Sequence, residues 1–582
     1  MIIPACDEIL SLSGEYDIIP ICREIYADVV TPITLLRRIA ERSSRFYLLE
    51  SIEGGEKWGR YSFLGYNPVM RVTCRCGKVK IESHVSRFPS REIQTAHPMD
   101  VLREILAQYK APRLKGQPPF TGGFVGYFAY AMIEYAEPAL HISRGGANDF
   151  DLMLFDKVIA YDHLKQKIQI VVNMKTGRTE RAGRTERGNR EEQERCEGRK
   201  GGEDRENRNT YSGLEYLMKE YGRACEEIQE MASLINDTTP LKRLSSPEKP
   251  SFVCSVSKEE FCDTVEKTKE YILDGDIFQA VISRQFTSSY EGSLLNAYRV
   301  LRTTNPSPYM VYMNIDQDEI ISTSPETLVR LENRRLTTFP VAGSRPRGDG
   351  DEEDRRLEEE LLADEKELSE HNMLVDLGRN DIGRIAEFGS VEVTEYKMIH
   401  KYSKIMHICS QVEGNIKPGL DGCSAVESLL PAGTLSGAPK IRACEIIEKL
   451  ESVPRGIYGG ALGYLDFTGN LDTCIAIRMA VKQAGKVTVQ AGGGIVADSV
   501  PELEYEESAN KARAVIQAIL QACLLYTSIR LNPHFLFYLL GFYQIHHKHG
   551  MTYFSGNAVR LYCRLALMIH LILEKSFCKN RP

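Results

Sequence analysis

Two pairs of glutamates mark where this chain could do chemistry. Glu367 and Glu370 lie three residues apart, as do Glu504 and Glu507. On a helix, positions i and i+3 share a face, so each pair presents two carboxylates side by side. One acidic face is common on any helix surface. Two in separated segments suit a hard cation such as magnesium, which takes a few carboxylate oxygens and completes its shell with water and substrate. A second cluster is Pro340 to Gly348, PVAGSRPRG. There Gly343 lets main chain approach a ligand, Pro340 and Pro346 restrict the backbone, and Arg345 and Arg347 can fork onto carboxylates. The stretch reads as an anion-holding loop, although on its own a solvated basic turn describes it equally well. The run Gly492, Gly493, Gly494 offers a further close-approach surface of backbone amides. His407 follows the apolar Ile405 and Met406, a setting in which an imidazole is more often a satisfied core residue than a base.

These groups need elements to hold them. Apolar spacing predicts helices over Arg355 to Asn380 and over Pro501 to Leu520, each carrying one acidic pair. Ser499 and Glu502 have the S-x-x-E spacing of a capping box, and Pro501 falls in the first turn. Alternating runs predict strands at Lys486 to Val489, Arg45 to Glu50 and Lys167 to Val172. A helical pattern also runs from Gly213 to Ile235.

With 582 residues the chain exceeds one ordinary core, so two lobes or one very large domain are expected. A net charge of −7 gives no general attraction to nucleic acid or to an acidic membrane. The 15 cysteines show no C-x-x-C pairing, and the N-terminus MIIPACDEIL lacks a basic leader, so a reduced cytoplasmic setting without membrane attachment is expected. The expected organisation is an N-terminal regulatory lobe over 1–174, a charged and largely disordered insertion with a short helix over 175–250, a catalytic domain over 251–523, and an atypical tail over 524–582. Between Lys175 and Thr210 the only apolar side chains are Ala182 and Cys196, too few to bury a core. In the tail, His546, His547 and His549 lack the cysteines or second ligand pair of a metal site.

The segments ELSEHNMLVDLGRNDIGR (Glu367 to Arg384), KYSKIMH (Lys401 to His407), PAGTLSGAPK (Pro431 to Lys440), YGGALGYLD (Tyr458 to Asp466), DTCIAIR (Asp472 to Arg478) and QAGGGIVADSVPELEYEES (Gln490 to Ser508) resemble the chorismate-utilising enzymes, most closely their anthranilate synthase component I branch. The tail has no counterpart there. The resemblance implies an α+β fold in which large antiparallel β-sheets form a sandwich covered by helices, the regulatory and catalytic lobes sharing the core. It implies Mg2+ bound by Glu370 and Glu507, with Glu367 and Glu504 supporting through water. It places chorismate against Gly343, Ser344, Tyr458, Arg478, Gly492, Gly493 and Gly494. Catalytic roles fall to His407 in elimination, Glu326 as general acid toward the C4 hydroxyl, Thr434 in hydrogen bonding and Lys511 beside the acidic cluster.

The implied reaction converts chorismate and ammonia to anthranilate and pyruvate, a first step toward tryptophan. Relatives that make aminodeoxychorismate carry a nucleophilic lysine where this chain has Ala342, and relatives that activate water carry a lysine where it has Gln279. A neutral amide cannot take a proton from water, which favours ammonia as nucleophile. No G-x-C-x-G glutaminase motif is present, so a glutamine amidotransferase subunit in a heterotetramer or higher assembly is the expected partner. Glu50 and Ser51 in LLES, with Pro308, Tyr309 and Met310 in NPSPYM, match segments that bind tryptophan as inhibitor. The alternatives are an aminodeoxychorismate synthase component I, told apart by a para rather than ortho amine, and a non-catalytic tryptophan-sensing scaffold.

Overall fold

The computed structural model describes residues 2–51, 59–84, 89–178, 203–242, 244, 247–402 and 405–524. The described residues up to Cys523 form one compact unit. The expected tail, including its histidines, lies outside the described residues apart from Leu524, as does most of the charged run after Lys175.

Among the described residues two large sheets carry the fold, and every paired strand is antiparallel. In the larger, the N-terminal strands Ile18–Tyr26, Lys167–Lys175, Lys157–Asp162, Tyr61–Tyr66 and Arg45–Glu50 run side by side and continue through Tyr309–Ile315, Asp318–Ser324, Met479–Gln483, Lys486–Ile495 and Gln279–Ser289. In the other, Val341–Pro346, Ile405–Asn415, Arg335–Thr338, Thr327–Glu332, Leu471–Ile475 and Ala461–Asp466 continue into Gly123–Phe128, Phe150–Phe155 and Met70–Arg75. The first 174 residues therefore share both sheets with the C-terminal half. Met310 pairs with Glu50 in one sheet, and Leu462 pairs with Tyr127 in the other. Apolar side chains from facing strands, such as Val125, Met153, Val311, Ile320 and Leu462, fill a common core.

Three local expectations change. The helix expected over Arg355 to Asn380 breaks at Asp364 into Asp351–Ala363 and Glu365–Ile385. Asp364 is extended (φ −78°, ψ 102°) and its side chain accepts from the amides of Lys366 and Glu367, so an N-cap restarts the helix immediately before the first acidic pair. The short helix of the insertion is instead a 33-residue helix, Glu203–Ile235. Its Leu217, Ala224, Ile228, Met231 and Ile235 are buried against the larger sheet, which stabilises helix well beyond what composition alone suggests. At the start of Pro501–Leu524, Ser499 donates to Glu504 (2.8 Å) while Glu502 stays exposed, so the serine serves the acidic face rather than a capping box with Glu502.

Candidate active site

One cavity of about 610 Å³ collects the expected residues. Gln279, Glu326, Gly343, Ser344, Glu367, Glu370, His407, Thr434, Tyr458, Arg478, Gly492, Gly493, Gly494, Glu504, Glu507 and Lys511 all line it. The helix Glu365–Ile385 brings Glu367 and Glu370 against the strand Val341–Pro346. The helix Pro501–Leu524 brings Glu504 and Glu507 against the glycine strand Lys486–Ile495.

The glycines make this approach possible. Gly343 has φ +67°, which favours glycine, and a Cβ there would stand a tight 3.2 Å from Glu367 Oε2, Ile408 Cδ1 and Leu361 Cδ1. Along the other wall, a Cβ on Gly493 would meet Glu504 Oε2 at 3.1 Å and one on Gly494 would overlap Gln279 Nε2 at 2.2 Å. The triple glycine thus lets the acidic helix and Gln279 close on bare backbone.

The carboxylates crowd one another. Burial first, and neighbouring carboxylates after it, raise the protonation tendencies of Glu367, Glu370 and Glu504. Lys511 offsets part of this charge: its Nζ lies 2.7 Å from Glu507 Oε1 and donates to the Gly492 carbonyl at 3.2 Å. Among the described residues no three His, Cys, Asp or Glu side chains converge into a ready-made metal cluster. The donor set nevertheless fits magnesium, which needs only one or two direct carboxylates and keeps its waters.

Glu326 is half-buried at the cavity wall, and desolvation pushes its carboxyl up to about 7 even though Thr434 Oγ1 donates to it at 2.9 Å. Thr434 therefore holds Glu326 through its hydroxyl hydrogen, while its oxygen can still accept a hydrogen bond in the cavity. His407 donates from Nδ1 to the Gly343 carbonyl at 2.8 Å. A carbonyl only accepts, so the neutral ring keeps its lone pair on Nε2. Burial is the main cause of the lowered His407 pKa, with Arg478 adding to it. Arg478 is half-buried at the cavity wall with backbone φ +48°, and its Nη1 meets only the Lys511 carbonyl, at 3.5 Å, among its described hydrogen bonds. Burial lowers its pKa, so an anion beside it would relieve a standing cost.

The loop that reads as an anion holder is mostly occupied by its own chain. Arg345 reaches Glu360 (3.1 Å), Asp364 (2.9 Å) and Glu367 (3.7 Å), and Arg347 forks onto Asp354. Both arginines anchor the helices on either side of the break, leaving Val341, Ala342, Gly343 and Ser344 as the cavity-facing part of the stretch. Gln279 is 4 % exposed and its Oε1 is buried without a hydrogen-bond partner among the described residues. Of the expected inhibitor residues, Pro308 lines this cavity. The Glu50 carboxylate, expected to meet a ligand, already accepts from Tyr298 (2.7 Å), Arg302 (2.6 Å) and Ser62 (3.2 Å). Tyr309 donates to Asp472 (2.8 Å), and Met310 is fully buried. Sequence reasoning missed the Lys440–Asp381 pair at 2.8 Å, which ties Lys440 to the first acidic helix. Both residues stand inside motifs already singled out, and a lysine and an aspartate in otherwise apolar helical faces were the available signal.

A family model for chorismate binding enzymes matches residues 45–517, and the chain belongs to that family. Within it, the chain is 44 % identical over 525 residues to anthranilate synthase component 1 of Acetivibrio thermocellus, covering 90 % of this chain and 99 % of that one. It is 42 % identical to the protein of the same name from Aquifex aeolicus, covering 88 % and 97 %. The crystal structure of anthranilate synthase component I from Streptococcus pneumoniae TIGR4 superposes with a TM-score of 0.64 at 33 % identity, over 85 % of this chain and 99 % of that one.

Proposed function

We propose that this chain converts chorismate and ammonia to anthranilate, pyruvate and water. The observation that carries the reading is the meeting, in one cavity, of a half-buried arginine with no ion pair among the described residues, a carboxyl raised to about 7, a neutral imidazole and two facing acidic pairs. Chorismate is a dianion, and the two ends of the cavity differ accordingly. Arg478, Tyr458 and the amides of the glycine strand receive the enolpyruvyl carboxylate. Glu370 and Glu507 would hold Mg2+ directly, with Glu367 and Glu504 behind them. The ion would neutralise the ring carboxylate and draw electron density toward it as the C4 hydroxyl leaves.

Glu326, still protonated near neutral pH, gives its proton to the departing C4 oxygen, so the leaving group is water rather than hydroxide. Thr434 fixes that carboxyl in place. Ammonia adds at C2, and Gln279, an amide in place of a base, does not compete by activating water. His407 Nε2 then takes the C2 proton as the enolpyruvyl C–O bond breaks, which aromatises the ring and releases pyruvate. Ala342 lines the cavity, where a lysine nucleophile would be needed for the para-amine product.

Ammonia comes from a glutamine amidotransferase partner. Tryptophan inhibits through the region of Glu50, Ser51, Pro308, Tyr309 and Met310, a reading supported by the register of Glu50 with Met310 and by Pro308 at the cavity wall. Incubation with chorismate, Mg2+ and ammonium salt should yield anthranilate fluorescence; a para-amine product or none at all would sink the reading. Glutamine should not replace ammonium for the chain alone. Isothermal titration with tryptophan should show binding, and its absence would remove the inhibitor site.

A further inference from the structure

Arg284 lies outside the cavity, on the strand Gln279–Ser289, and is 1 % exposed. A guanidinium so deeply buried ordinarily faces a carboxylate. Among the described residues none forms an ion pair with it. Instead its carbon centre sits 3.6 Å from the ring centroid of Tyr505, with Phe261 at 5.1 Å and Phe286 at 5.2 Å. Nη1 donates to Cys254 Sγ at 3.7 Å, and the other two nitrogens donate to one turn of one helix. Nη2 donates to the Tyr505 carbonyl at 2.6 Å, and Nε donates to Ser508 Oγ at 3.0 Å. Ser508 in turn donates to the Tyr505 carbonyl at 2.9 Å, and its side chain is fully buried.

Tyr505 and Ser508 are each the residue after a member of the acidic pair, Glu504 and Glu507. A grip on Tyr505 and Ser508 therefore sets the rotation of the turn that aims both carboxylates. The strand bearing Arg284 is also the neighbour of the glycine strand, with Arg284 opposite Ala491. The same side chain thus fixes the distance between the acidic turn and the glycine backbone it must approach.

We propose that Arg284 is a positioning residue for the Glu504 and Glu507 carboxylates, holding them at the spacing that magnesium requires. The inference rests on the reading that the two acidic pairs bind the metal. Planarity is essential to this role: a guanidinium can stack on Tyr505 and still fork onto the carbonyl and hydroxyl, whereas an ammonium cannot do both. Arg284→Lys therefore keeps the charge and loses the grip.

The test is the binding of Mn2+ alone, followed by the electron paramagnetic resonance of the free ion, together with the Mg2+ dependence of anthranilate formation. For Arg284→Lys we expect Mn2+ affinity to fall about tenfold, and the Mg2+ needed for half-maximal rate to rise by a similar factor. kcat at saturating Mg2+ should stay within about threefold of the parent. A purely structural role would lower kcat or folded yield without that split. Ser508→Ala removes one acceptor and should move both readouts the same way by a smaller factor, which keeps the test open if Arg284→Lys folds poorly. Unchanged Mn2+ affinity in both variants, with the parent protein binding Mn2+, would overturn the positioning role. A parent protein that binds no Mn2+ would overturn the metal reading itself, and the positioning role with it.

Discussion

Two groups of charges in this molecule look alike in sequence and behave in opposite ways. Around Pro340 to Gly348, Arg345 and Arg347 are matched by Glu360, Asp364 and Asp354, and the Asp354 carboxyl is held down to about 2, chiefly by its hydrogen bonds from Arg347. In the cavity, Arg478 forms no ion pair among the described residues, with Glu507 acting on it only at longer range, and Glu326 is pushed up to about 7 by burial. The first group is complete in itself and fixes helices. The second is left unfinished and is ready for a ligand or a proton transfer. The contrast shows that a cation's neighbours, more than its presence in a glycine-rich loop, decide whether it can serve a substrate.

The sharpest way to break this contrast is Glu326→Gln. Losing the general acid should lower kcat by about 10²–10⁴, while thermal unfolding at neutral pH should show a more stable protein. The direction follows from linkage. The folded state holds this proton more tightly than the unfolded state, so its contribution is present at acidic pH and is lost as pH rises toward 7 and above. The stability gain of the variant should therefore vanish near pH 4, and the parent's kcat should decline as pH passes about 7. A variant that loses activity without this pH-dependent gain would place Glu326 in the structural group instead.

Arg478→Met should lower kcat/KM for chorismate by about 2–5 kcal/mol, roughly thirtyfold to several thousandfold, since the substrate carboxylate would be buried without its partner. A change below threefold in steady-state kinetics would mean that Arg478 does not receive it. Ala342→Lys sharpens the contrast within the loop. A lysine on the cavity-facing side should cut anthranilate formation about tenfold or more by crowding and added charge, and unchanged turnover would move that wall away from C2. Smallest of all should be Arg347→Met, with kcat/KM within about twofold of the parent and only the melting temperature lowered. Because Asp354 is held down by that arginine, the stability difference should be present at neutral pH and disappear as pH falls toward 2.

The cavity was largely legible because each of its parts is a local pattern. Acidic pairs at i and i+3, a glycine run and a histidine in a known motif keep their meaning once the sheets bring them together. What escaped depended on partners far away in the chain. Nothing around Glu50 in the sequence announces that Tyr298 and Arg302, more than 240 residues downstream, close on its carboxylate. Arg345 and Arg347 could have been matched sooner, because the acidic run Asp351 to Glu360 follows them directly. Asp364 ends one helix and caps the next within a stretch whose apolar spacing runs through unbroken, so periodicity alone could not reveal the break. The long helix Glu203–Ile235 owes its burial to the sheet beneath it, which its own composition does not announce.

The sharing of both sheets also bears on how the chain is made. Glu50 pairs early with Ser62 on one edge but meets its partner on the other edge only at Met310, roughly 260 residues later, which at about 5–20 residues per second of synthesis is about 13–50 s. Throughout that interval the strand Arg45–Glu50 has an open edge on the side that Tyr309–Ile315 will cover, and Gly123–Phe128 likewise waits for Ala461–Asp466. Open edges invite pairing with the wrong chain. Nascent chains stalled before Met310 should therefore remain protease-sensitive and engage chaperones, becoming resistant only after Asp466 has left the ribosome. For this protein, biogenesis is a problem of protecting half-built sheets in time.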